Sequence, residues 1–171
     1  MQKRWRRRLA ITALLLGVGL PTLAAMAAAA GWSVWFDPRQ RAFLSYSLVK
    51  DGPRALLLAC LRDVDMFTIA SEDVADAHSI GQKATLTLAN GATRYAVDGE
   101  IARDPTSGTP SFSVDIDLDA QTVRQLRDGL FPVLEGKAPI ELSIGSAHRE
   151  LPLAGLPDAL KRFKATCFGR R

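Results

Sequence analysis

The chain is poor in the residues that most often carry chemistry. Its 171 residues include two cysteines and two histidines. The cysteines, Cys60 and Cys167, form no Cys-x-x-Cys and have no neighbouring His, so no reactive-thiol motif is present. His78 and His148 lack a second ligand at metal spacing, apart from Asp76 two residues before His78, and read as solvated loop histidines. No Gly-x-Ser-x-Gly spells out a nucleophile elbow. Asp115, Asp117 and Asp119 alternate like the start of an EF-hand loop, but Ala120 and Leu126 stand where that loop needs Gly and Glu. Asp63 and Asp65 resemble a glycosidase carboxylate pair, yet alternation at a strand end accounts for them equally. Local motifs therefore imply no catalytic residue, no metal and no cofactor. A triad assembled in space needs no local motif, so a small hydrolase stays open.

A membrane-spanning run is also lacking. Leu9 to Leu20 is apolar but short, and Pro21 breaks it. With Lys3, Arg4, Arg6, Arg7 and Arg8 before it and Ala24 to Ala30 after it, the segment has the layout of a secretory signal peptide. Residues 1–30 are accordingly expected to be removed, with cleavage after one of Ala27 to Ala30. Ordinary Sec export is the default, with the Arg7-Arg8 pair leaving a twin-arginine route open. Residues 31–171 are then expected to form a single periplasmic β-rich domain with no transmembrane span.

Basic excess is missing once that segment is gone. The whole chain carries 22 Lys and Arg against 18 Asp and Glu. Residues 1–30 hold five of the basic residues and none of the acidic ones, which leaves 17 against 18, about −1. A nucleic-acid partner is excluded on this balance. Export also bears on the cysteines: an oxidising compartment favours pairing, and a Cys60–Cys167 bond is expected.

What the sequence does contain is a succession of short strand patterns. Ala55 to Arg62, apolar and bounded by Asp51-Gly52-Pro53 and Arg62-Asp63, reads as an interior strand carrying Cys60. Trp32 to Phe36, Ala42 to Val49 and Met66 to Ala70 read as strands around it. Ser71 to Gln82 reads as loop. Ala84 to Leu88 leads into Asn90-Gly91, a type I′ hairpin signal, and Asp98-Gly99 repeats the device, so a meander with turns at both dipeptides is expected. Ser111 to Leu118 alternates apolar and polar residues, and places Asp115 and Asp117 on a wet face. Asp119 can cap a short helix ending near Gly129 and Pro132. Ile140 to Ile144 and Arg149 to Leu153 form a closing hairpin through Gly145-Ser146. From Pro157, the residues Leu156, Leu160, Phe163 and Cys167 make one helical stripe aimed at the core. The expected fold is mainly β: an antiparallel β-sandwich or barrel with two short helices, the C-terminal one packed on the sheet.

Two groups remain as contact candidates. Lys161, Arg162, Lys164, Arg170 and Arg171 complement the end of a helix dipole and also suit an anionic partner. Trp32 and Trp35 read as packing residues that, if exposed, mark a sugar or protein contact.

The order of signal peptide, Trp-x-Val opening, apolar strand ending in Cys, Asn-Gly meander and closing Gly-Leu-Pro-Asp-Ala-Leu-x-x-Phe-x-x-x-Cys helix resembles small proteobacterial periplasmic proteins of the invasion-associated locus B family. That family generally has more cysteines; Leu44 or Ser45 stands here where related sequences often carry one. The resemblance implies an envelope-associated, non-enzymatic accessory role and supplies no catalytic residue. The expected function is a periplasmic binding or accessory protein with a protein or anionic envelope partner. The alternative is a small envelope hydrolase or an inhibitor of an envelope enzyme.

Overall fold

The computed structural model describes residues 31–72, 74, 80–104 and 107–169. The expected signal peptide, Asp76, His78, Arg170 and Arg171 lie outside them. Among the described residues nine strands follow in chain order: β1 Gly31–Phe36, β2 Arg41–Ser47, β3 Arg54–Leu61, β4 Met66–Ser71, β5 Lys83–Asn90, β6 Thr93–Arg103, β7 Pro110–Asp117, β8 Ile140–Ile144 and β9 Ala147–Leu151. They form one antiparallel sheet in the order β1-β2-β3-β4-β7-β6-β5-β8-β9. The sheet curls into half a barrel. Among the described residues helices, and not a second sheet, cover its inner face.

Strand alternation decides which side chains meet there. Leu44, Leu58 and Ile69 lie in register across β2, β3 and β4, and all are fully buried. Phe67, Leu86, Leu88, Ile101, Phe112 and Leu142 extend the same core. The opposite row, Trp35, Phe43, Ala59, Thr68 and Asp115, lies on the outer face.

The helix α3, Leu156–Phe168, closes the inner side against β1 and β2. Gly155 at φ 83° turns the chain into it, and Pro157 sits in its first turn. Leu156, Leu160, Phe163 and Cys167 are all buried, as the stripe predicts. Cys167 is bonded to Cys60, with Cα atoms 5.8 Å apart and a sequence separation of 107. Just past β3, the Arg62 guanidinium donates to the carbonyls of Thr166 and Gly169 at 3.3 and 3.2 Å, and so caps the end of α3 beside the disulfide.

Three local expectations are corrected. The β5–β6 hairpin turns at Gly91-Ala92, one residue later than an Asn90-Gly91 turn, because Asn90 pairs with Thr93 and only Gly91, at φ 59°, has positive φ. Glycine first in a two-residue loop is the type II′ pattern. Asn90 is buried and clasps the backbone of Ala138 with both ends of its amide.

Asp98-Gly99 makes no turn. Both residues lie inside the 11-residue β6, which pairs with β5 up to Glu100 and with β7 from Glu100 on. Gly99 is required by close approach: a Cβ there would lie 2.6 Å from the Phe112 ring and 2.6 Å from the Ser113 carbonyl oxygen.

The helix after Asp119 does not stop near Gly129. It runs as α1, Ala120–Gln125, a π-helical turn over Leu126–Leu130, and α2, Phe131–Leu134. The Phe131 N–H bonds the Leu126 carbonyl five residues back, which widens the turn. The ladder restarts there, so Pro132 falls in a first turn where its missing N–H costs nothing.

Candidate functional site

The clearest concavity with an apolar floor lies between α2 and α3. Its volume is about 340 Å3, and it is lined by Leu134, Leu153, Pro157 and Leu160 with Glu135, Lys161 and Lys164 at the rim. Three separate stretches build it. The π-turn carries Leu134 to the inner layer, the segment after β9 brings Leu153, and α3 supplies the rest. Helical spacing puts Lys161 and Lys164 on one side of α3, a turn apart.

Lys164 is fixed. Its Nζ lies 2.5 Å from Glu135 Oε1 and 5.1 Å from the Phe131 ring centroid. Lys161 is exposed and makes no ion pair among the described residues. Arg162 points away from this groove and stands 5.5 Å from the Phe36 ring centroid. The basic run is thus divided: two lysines face the groove, one arginine packs at the end of β1, and Arg170 and Arg171 lie outside the described residues.

The tryptophans separate as well, because an odd spacing on a strand puts them on opposite faces. Trp32 is half-buried on the inner side, tilted against Tyr46 with centroids 5.3 Å apart, and its Nε1 donates to the Pro152 carbonyl at 2.6 Å. Trp35 is on the outer face, stacked on Phe43.

Several of the remaining polar candidates have structural partners. Arg41 donates to Asp63 at 2.6 Å through Nη2, and this hydrogen bonding holds the Asp63 carboxyl below its usual range and raises Arg41. Asp65, at φ 48°, shapes the β3–β4 turn. Asp115 accepts from the Thr68 hydroxyl at 2.6 Å on the outer face, and Asp117 is exposed there. Asp119 caps α1 by accepting from the Thr122 N–H at 2.7 Å, which lowers its pKa. Burial raises Tyr95. His148 is exposed on β9. Among the described residues no group of three or more His, Cys, Asp or Glu could hold a metal ion, and no helix is long and apolar enough to cross a membrane.

Sequence reasoning found the lysines but not the groove, since Leu134, Glu135 and Leu153 meet them only through the fold. The one local signal was the apolar stripe of α3, which fixes where its polar residues must lie. No protein-family model, curated protein or solved structure matches the chain.

Proposed function

We propose that the chain is an exported accessory protein of the cell envelope that works in the periplasm by binding. The α2–α3 groove takes an anionic amphiphile of the envelope. One observation carries this reading: an apolar floor of Leu134, Leu153 and Leu160 lies beside two lysine ammoniums, only one of which is matched by a carboxylate among the described residues. An alkyl chain on the floor leaves a headgroup at Lys161, where charge complementarity selects an anion. The resemblance in layout to invasion-associated locus B proteins supports the same envelope role. The signal-peptide pattern supports export.

The test uses two probes with one acyl chain and different headgroups, lysophosphatidylglycerol and lysophosphatidylcholine, titrated below their micellar concentrations into the processed protein. The anionic probe is expected to bind at least tenfold tighter, and Lys161→Glu to abolish that preference. Equal affinity for the two, or no binding of either, overturns the proposed ligand. Export is checked separately by fractionation and by an amino terminus beginning after one of Ala27 to Ala30.

A further inference from the structure

A second groove crosses the outer face of the sheet, on the side away from α3. Its volume is about 620 Å3, within the ~300–1,000 Å3 typical of ligand sites. Trp35, Ser33, Ser45 and Ser47 line one part of it, and Arg54 and Glu72 another. The Arg54–Glu72 pair is locked before any ligand arrives. The Arg54 backbone N–H and Nη1 donate to the two Glu72 carboxylate oxygens at 3.0 and 2.9 Å, and the Glu72 N–H donates back to the Arg54 carbonyl at 2.8 Å.

Beside this pair, Trp35 lies nearly parallel to Phe43, 7° between planes and 5.1 Å between centroids. It stays 37% exposed while stacked on that ring. The Arg54 guanidinium stands 5.8 Å from its ring centroid. The Ser33 and Ser45 hydroxyls share a hydrogen bond of 3.0 Å along the floor.

These groups select by charge. Among the described residues Arg54 is the sole basic one lining the groove, against Asp51, Glu72 and Asp104, so an anion is repelled. A cation is disfavoured at the ring, because Arg54 already stands there and already holds Glu72. What remains is a preformed indole platform flanked by hydroxyls and by a neutral donor–acceptor pair. A ligand that matches must donate and accept at neighbouring positions and present an apolar C–H face to the ring. We propose that this groove binds an uncharged oligosaccharide, with one sugar ring against the part of Trp35 that Phe43 and Arg54 leave exposed and its hydroxyls on Arg54, Glu72 and the serine row.

The experiment is isothermal titration of the processed protein with cellotriose, maltotriose and chitotriose, alongside trigalacturonate and trilysine as anionic and cationic probes. At least one neutral trisaccharide is expected to bind saturably. Trp35→Ala is expected to weaken it at least tenfold, and Ser33→Tyr, which fills the floor from an exposed position, to do the same. Lys161→Glu is expected to leave it unchanged, which separates this site from the α2–α3 groove. Failure of all three neutral sugars, binding of a charged probe in their place, or neutral binding that survives both groove substitutions overturns the proposal.

Discussion

Trp32 donates its indole N–H to the carbonyl of Pro152, 120 residues further along the chain and 2.6 Å away. The two residues lie at the opposite edges of the sheet, Trp32 on β1 and Pro152 just after β9, so this bond draws the ends of the half-barrel together. Trp32→Phe keeps an aromatic ring against Tyr46 but removes the donor. The expected cost is about 1 kcal/mol in urea unfolding, with faster amide exchange in β1. Unchanged protection of β1 would mean that this bond does not secure the edge.

Removing the disulfide should cost far more. It closes a loop of 107 residues, and chain entropy alone assigns such a cross-link on the order of 4–5 kcal/mol. Cys60→Ala with Cys167→Ala, compared with the oxidised protein, should lower the urea midpoint strongly. Without reductant neither thiol should alkylate in denaturant. A loss below about 1 kcal/mol would show that burial of α3, and not the cross-link, holds it down.

Gly99→Ala places a methyl group against the Phe112 ring and the Ser113 carbonyl oxygen, both at 2.6 Å. The oxygen is backbone in a paired strand and cannot swing away, so overpacking should destabilise by about 1–3 kcal/mol. Gly31→Ala is the internal comparison. Nothing lies within 4 Å of its Cβ position, and its effect should stay within about 0.5 kcal/mol.

Acid should weaken the fold through two exposed carboxylates. Hydrogen bonds from Arg41 hold the Asp63 pKa down, and the Thr122 N–H does the same for Asp119. For a depressed folded-state pKa the stabilisation is complete above the unfolded value, near ~3.9, and disappears as pH falls through the folded one. The urea midpoint should therefore hold from pH 7 to about pH 5 and then decline. Asp119→Asn retains a capping acceptor without a titrating group, and should make that decline shallower. An identical acid profile for this variant would remove Asp119 from the account.

Much of the architecture was legible because it depends on residues close in sequence. Period-two alternation located the strands, and the stripe through Leu156, Leu160, Phe163 and Cys167 aimed α3 at the core with its cysteine toward β3. The misread positions share a cause. Asn90-Gly91 and Asp98-Gly99 look alike as dipeptides, and distant residues decide their conformations: Ala138 offers Asn90 a backbone partner, and Phe112 occupies the space over Gly99. Pro132 looked like a helix end because an α-helical ladder cannot pass it, whereas a π-turn restarts the ladder one step earlier. Both grooves were invisible for a related reason. Each joins side chains from three or more segments, and only Lys161 and Lys164 in one and Trp35 in the other stood out beforehand.

The Asn90 clasp also bears on chemical ageing. Asparagine followed by glycine is the dipeptide that most readily loses ammonia, through attack of the following backbone nitrogen on the side-chain carbonyl carbon. Here that amide is buried and pinned to Ala138, so the folded chain keeps the reacting atoms from meeting, while every unfolding event releases them. Conversion to a carboxylate would set an acceptor against the Ala138 carbonyl and hinder refolding around it. Slow deamidation at this one position thus records how often a molecule has opened.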